Sequence, residues 1–146
     1  SGGRDVLGFD RCWPTASRLE FAAGLDYLVA LLPDTPATDK LVDSELLARL
    51  SSQAIVINGG RGNAVVTADL VDALERGRIR HAVLDVLPVE PLPDDDPLWQ
   101  VPGLTITSHT AAPTPADAVV DIFLDNMRRY RNGEDLRYEV DFERGY

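Results

Sequence analysis

Short apolar runs alternating with helix-like spacings set the rhythm of this chain. Residues 27–32 are six consecutive apolar positions ended by Pro33, as expected of a strand buried on both faces of a sheet. Runs at residues 54–57, 82–86 and 104–107 predict three more strands, and residues 6–9 a short first one ending at Asp10. Helical spacings lie between them. Residues 19–24 make one or two turns with Gly24 as a stop. Asp43 or Ser44 caps a helix through Leu50 with Leu46, Leu47 and Leu50 inward, and Thr67 caps another that carries Leu70, Val71 and Leu74 and stops near Gly77. Pro115 opens a long amphipathic helix to about Arg131, ended by Asn132-Gly133. The alternation predicts a parallel, doubly wound α/β sheet. The proline-rich segment 88–97 reads as a long loop of the kind that often carries function.

Composition narrows the partners. A length of 146 residues suits one domain, and 45% hydrophobic with 26% charged residues is ordinary for a globular protein. No apolar stretch is long enough to span a bilayer and no charged-then-apolar leader begins the chain, so no membrane partner is expected. A net charge of −10 argues against nucleic acid, which needs a positive footprint. The densest basic group, Arg128, Arg129 and Arg131, falls on the predicted last helix as a solvated face. Asp94, Asp95 and Asp96 lie among prolines and read as an exposed loop, not a metal site. Cys12 is the single cysteine, which excludes an internal disulfide framework and fits a reducing, cytoplasmic setting. With no Cys/His cluster around it, no catalytic or metal role is expected.

Three residues carry the candidate chemistry. Arg61 in Asn58-Gly59-Gly60-Arg61-Gly62, Glu90 before Pro91, and His109 in Thr107-Ser108-His109 each stand at or just beyond the C-terminal end of an apolar run. In a parallel sheet those ends face one crevice, where such folds bind ligands. Arginine grips a carboxylate through two parallel hydrogen bonds. An imidazole moves a proton near neutral pH, and a carboxylate can orient it and favour its charged form. Taken singly, each has a plain alternative: a surface arginine in a glycine turn, a loop carboxylate, a structural histidine. His81, just before a strand, is read as a surface residue. Gly59, Gly60 and Gly62 allow a sharp turn and a close backbone approach to a nucleotide. Asp85 ends a strand, where a charge is costly unless hydrogen-bonded. Asp10 ends the short first run; in a dinucleotide-binding sheet an acid at such a strand end would accept from ribose hydroxyls and repel a 2′-phosphate, which would favour NAD, while the adjacent Arg11 could accommodate that phosphate.

The stretches 31–38, 58–62, 84–92 and 108–112, in this order and spacing, resemble the D-isomer-specific 2-hydroxyacid dehydrogenases, within them the glyoxylate/hydroxypyruvate reductases. The ending Arg144-Gly145-Tyr146 is similar to that branch. Two departures are Pro14-Thr15-Ala16-Ser17, where relatives often have Arg and Ser, and Ser108 in place of a proline. The resemblance implies a Rossmann-like fold and hydride transfer between NAD, with NADP possible, and a small 2-oxo/2-hydroxy acid. It implies Arg61, Glu90 and His109 as catalytic. It implies cofactor contacts from Asp10, Arg11, Leu32, Pro33, Gly59, Gly60, Arg61, Asp85, His109 and Ala111, with Asp85 at the nicotinamide carboxamide.

One motif of such a domain is missing. The sequence holds no Gly-x-Gly-x-x-Gly turn after a strand; Ser1-Gly2-Gly3 is too short and Gly59–Gly62 wrongly spaced. The expectation is therefore an incomplete sheet without the first strand and phosphate turn. Residues 1–146 would be the C-terminal part of a dinucleotide-binding domain, 115–146 its terminal helix and tail, with no substrate-capping domain. Loss of the first strand leaves edges without ladder partners, so self-association or a complementing segment is expected. Two other readings follow from the same gap: an inactive module, or a nucleotide-sensing assembly module on a dehydrogenase fold.

Overall fold

The computed structural model describes residues 8–143 and 145. Contacts divide the chain into two units, residues 1–109 and 110–146. Four strands build the first: β1 (Tyr27–Ala30), β2 (Ile55–Asn58), β3 (His81–Leu84) and β4 (Leu104–Ile106). They form one parallel sheet in the order β1-β2-β3-β4. The register pairs Tyr27 with Ile55, Ile55 with His81 and Ala82 with Leu104.

Right-handed crossovers between strands laid down in chain order put the connecting helices on one face. Here α1 (Arg18–Ala22), α2 (Ser44–Leu47) and α3 (Thr67–Glu75) pack on one another. Leu28, Val56, Ala82 and Leu84 of the sheet meet Leu46, Leu47, Leu70 and Ala73 in the core. The opposite face is less covered. Tyr27 and Val29 remain 65% and 54% exposed, so the apolar run 27–32 is buried on one face, not two.

Boundaries differ from the sequence expectation for local reasons. Asp43 caps α2, its carboxylate accepting from Leu46 N at 3.0 Å. The helix ends at Leu47 because Arg49 and Leu50 bond to carbonyls only three residues back, which tightens the last turn. Leu50 is buried nonetheless. Thr67 is the first helical residue of α3 and not its cap; Val66 holds that position, and Ala73 rather than Val71 is buried with Leu70 and Leu74. Of the expected first strand, Val6 and Leu7 lie outside the described residues, while Gly8 is in a turn and Phe9 outside any strand. Neither has a ladder partner among the described residues, and a short apolar piece needs one to stay extended.

Arg18 ties α1 to α2 through two 2.9 Å bonds to the Asp43 carboxylate. Burial works to raise the Asp43 carboxyl, but the bonds from Arg18 and Leu46 N outweigh it and hold it below its ordinary value.

The second unit is α4 (Ala116–Asn132) and its tail. Gly133, with φ of 69°, ends the helix: Glu134 N donates to Arg129 O and Gly133 N to Tyr130 O, the paired bonds of a left-handed helix stop. Arg128 and Arg129 both engage Asp125, so this basic group is a solvated ion-paired face. Asn126 and Arg137 exchange two hydrogen bonds that fold the tail back on α4. Arg144 and Tyr146 lie outside the described residues.

Candidate functional site

The C-terminal ends of β1, β2 and β3 and the turn after β4 supply the site. At the end of β2, buried Asn58 shapes the arginine turn: its amide donates to Arg61 O at 3.0 Å and its carbonyl accepts from Gly60 N at 3.2 Å. This closes a local ring that holds Arg61 outward. Gly60 lies against β1, where an added Cβ would come within 2.5 Å of Leu32 N. Leu31 and Leu32 thus sit beside the glycine turn, with Pro33 next in the chain. The exposed Arg61 donates to Gly60 O at 2.8 Å through one amino group, and its other donors can meet an anion.

After β3, Glu90 is fixed at both oxygens. Leu87 N donates to Oε1 at 2.7 Å, and Oε2 meets His109 Nδ1 at 2.8 Å. These bonds hold the Glu90 carboxyl below its usual range, the His109 bond foremost, with Leu87 N and the charge of Arg61 adding to it. The Glu90-Pro91 peptide is cis. His109 has a left-handed backbone, φ 55°, and its N–H donates to Asp85 O at 2.8 Å. Glu90 occupies Nδ1, so Nε2 is the ring nitrogen left for other chemistry. Asp85 is buried, and the Thr107 hydroxyl donates to its carboxylate. That bond answers the cost of a charge at a strand end.

Two cavities flank the Glu90–His109 pair. One of about 300 Å³ is lined by Asp34, Arg61, Asn63, Leu87, Glu90 and His109 among others. The second, about 410 Å³, includes Asp85, Leu92, Trp99 and Thr107 beside Glu90 and His109. The structure thus brings Arg61, Glu90, His109 and Asp85 together, with Gly60 and Leu32 packed on each other next to the arginine. Asp10 and Arg11 line neither cavity; both are exposed, and the Arg11 guanidinium stacks 3.6 Å over the Trp13 ring. Ala111 belongs to the second unit. His81 contacts Thr105 through Nε2 at 3.0 Å.

Sequence reading missed several residues of this site. Asn58 was legible only as part of a motif, although an asparagine before two glycines at a strand end is a turn signal. Thr107, Leu87 N and the Asp34–Asn63 bond of 2.7 Å arise from tertiary placement.

A parallel strand–helix sheet with its polar groups gathered at the strand ends defines a Rossmann-like α/β protein. Residues 10–111 match the family model described as "D-isomer specific 2-hydroxyacid dehydrogenase, NAD binding domain", and the chain belongs to that family. Glyoxylate/hydroxypyruvate reductase A of Klebsiella pneumoniae is 39% identical over 127 residues, covering 87% of this chain and 41% of the relative. The NADPH-dependent glyoxylate/hydroxypyruvate reductase of Sinorhizobium meliloti, solved with NADP and sulfate, superposes with a TM-score of 0.91 at 32% identity, covering 100% and 48% of the two chains. A probable 2-hydroxyacid dehydrogenase of Rhizobium etli, solved with NADP, HEPES and L(+)-tartaric acid, gives 0.88 at 35% identity, covering 99% and 47%. The chain spans less than half the length of these relatives. Among the described residues, no helix is long and apolar enough to cross a membrane.

Proposed function

We propose that these residues are the C-terminal part of a dinucleotide-binding domain, 115–146 forming its terminal helix and tail. The whole protein then reduces small 2-oxo acids such as glyoxylate or hydroxypyruvate with NAD(P)H. The observation that carries this reading is the single cavity shared by Arg61, Glu90 and His109.

The residues fit the nicotinamide end of such a cofactor. Buried Asp85 offers a carboxylate acceptor for a carboxamide, and Gly60 packs so tightly on Leu32 that no side chain intrudes there. The sequence offers no glycine-rich turn for the pyrophosphate. Leu32, Pro33, Gly59 and Gly60 would contact the cofactor, with Asp85 at its carboxamide and Asp10 and Arg11 at the ribose. When bound, the reduced nicotinamide supplies the hydride.

The chain's own groups do the rest. Arg61 binds the substrate carboxylate and draws the adjacent carbonyl into line. His109, protonated on both nitrogens, donates from Nε2 to the carbonyl oxygen as it gains charge. Glu90 accepts from Nδ1, stabilises the imidazolium and leaves the neutral ring with its proton on Nδ1. A cytoplasmic setting belongs to this reading, supported by the free Cys12. Association with a second copy or a complementing segment does too, supported by the exposed Tyr27 and Val29 on edge strand β1 and Leu31 just beyond it.

The test is turnover by the whole protein with glyoxylate and hydroxypyruvate against NADH and NADPH. No reduction of either acid with either cofactor would sink the reading.

A further inference from the structure

Arg61 and the Glu90–His109 pair stand on different strand ends, and a glycine joins them. A Cβ added at Gly62 would come within 2.1 Å of Leu87 C, 2.3 Å of Leu87 O and 2.4 Å of Pro88 N. The arginine turn is thus seated directly on the Leu87-Pro88 peptide. Leu87 also donates its N–H to Glu90 Oε1 at 2.7 Å, and Glu90 Oε2 meets His109 Nδ1 at 2.8 Å. We propose that Gly62 is a positioning residue: its contact with the Leu87-Pro88 peptide sets the Glu90 carboxylate, and through it the ring tautomer of His109.

The physical argument is one of distances. A side chain at Gly62 must push the peptide away by on the order of 1 Å to reach ordinary van der Waals separation. The neighbour is backbone, so it cannot rotate aside as a side chain would. A 2.7 Å bond stretched that far passes the limit of about 3.2 Å for a good N–H···O bond. Glu90 then loses the donor that fixes one oxygen, and the other is free to leave His109. A neutral imidazole carries its proton where its hydrogen-bond partner demands it. With Glu90 in place that is Nδ1, which leaves Nε2 without the proton in the neutral ring. The catalytic meaning rests on the proposed role of His109; the tautomer itself does not.

Gly60 supplies a matched control. A Cβ there would also come too close to backbone, 2.5 Å from Leu32 N and 2.7 Å from Leu32 O, but on the β1 side of Arg61. The experiment records imidazole ¹⁵N spectra of the 146-residue chain at alkaline pH, with His81→Gln to assign the two histidines. In the unmutated chain the His109 signals should report a proton on Nδ1. Gly62→Ala should reverse the order of the two nitrogen signals, as Glu90→Ala does, while Gly60→Ala should leave them in place. A folded Gly62→Ala chain with the original order, or an equal reversal in Gly60→Ala, would overturn the proposal. If Gly62→Ala does not fold, an ester replacing the Leu87 N–H deletes the Leu87–Glu90 bond alone. It must give the same reversal, and an unchanged order would again overturn the proposal. The readout needs no turnover, so a reversal in a protein that reduces no 2-oxo acid would sink the functional reading and leave this one standing.

Discussion

Glu90 and His109 are 19 residues apart in the chain, yet Oε2 of one lies 2.8 Å from Nδ1 of the other. The bond occupies Nδ1 and leaves Nε2 as the ring nitrogen outside that contact. His109→Ala in the whole protein should lower kcat for glyoxylate or hydroxypyruvate by roughly 10²–10⁴, the usual worth of a positioned proton donor. Cofactor affinity should change far less. Steady-state kinetics and a cofactor titration check both, and retained turnover would remove the acid–base assignment.

The same pair fixes an acid limit. The folded state holds the Glu90 carboxyl below its ordinary value of 4.5, mainly through His109. The pair is therefore intact above that value and is lost as pH falls through the lowered one. Glu90→Gln should remove this acid-side transition from the ¹⁵N titration of His109. A transition that survives the substitution would assign it to another group.

Arg61→Lys should weaken substrate binding and turnover together, because an ammonium cannot copy the two parallel bonds of a guanidinium. A loss of roughly tenfold to a hundredfold in kcat/KM matches the worth of one charge-assisted hydrogen bond. Unchanged kcat/KM for the acid would mean that another cation holds the carboxylate.

The proposed reading puts cofactor choice on two neighbours, Asp10 and Arg11. Asp10→Ala should raise the ratio of kcat/KM for NADPH over NADH, and Arg11→Ala should lower it. Changes of the same sign would place the ribose elsewhere.

Asp43 gives a stability prediction. Its carboxylate caps α2 and receives Arg18, and its folded value lies below 3.8. The contribution is full above that value and disappears as pH falls through the lowered one. Asp43→Ala should cost about 1–2 kcal/mol at neutral pH, as lost caps do. Urea melts should show the difference shrinking in strong acid; a constant difference would mean that the charge plays no part.

The 146-residue chain by itself should show negligible 2-oxo acid reduction and weak NAD binding. Its sequence has no glycine-rich phosphate turn, and each missing charge-assisted bond is worth roughly 1.5–3 kcal/mol. Light scattering should find oligomers, since β1 is an edge strand and carries Tyr27 and Val29 on an uncovered face. A monomer turning over glyoxylate at an enzymatic rate would contradict both statements.

Much of this was legible because strand ends in a parallel sheet share one side. Arg61, Glu90 and His109 could be placed together from apolar runs alone, and the stop at Gly133 from its neighbours. What periodicity could not show was which sheet face is covered. Tyr27 and Val29 look like core in a continuous apolar run, and only the placement of α1, α2 and α3 leaves them outward. Val66 displaced Thr67 as cap because its extended backbone precedes a Thr67 that is already helical, and no side chain accepts a cap bond there to fix the boundary. The seat of Gly62 on Leu87 is a contact between residues far apart in sequence, and no local spacing encodes it.

The strand order also bears on how the sheet forms. Because β1, β2, β3 and β4 are neighbours in space in the order in which they occur in the chain, every ladder closes over a single crossover. Loop closure is then paid in short, similar steps rather than one long one. A nascent chain leaving the ribosome can dock each strand–helix unit on its predecessor before the next is made. The last strand to arrive, β4, is also the one that delivers His109. The contact of His109 with Glu90 can thus form only once β4 has joined the strands made before it.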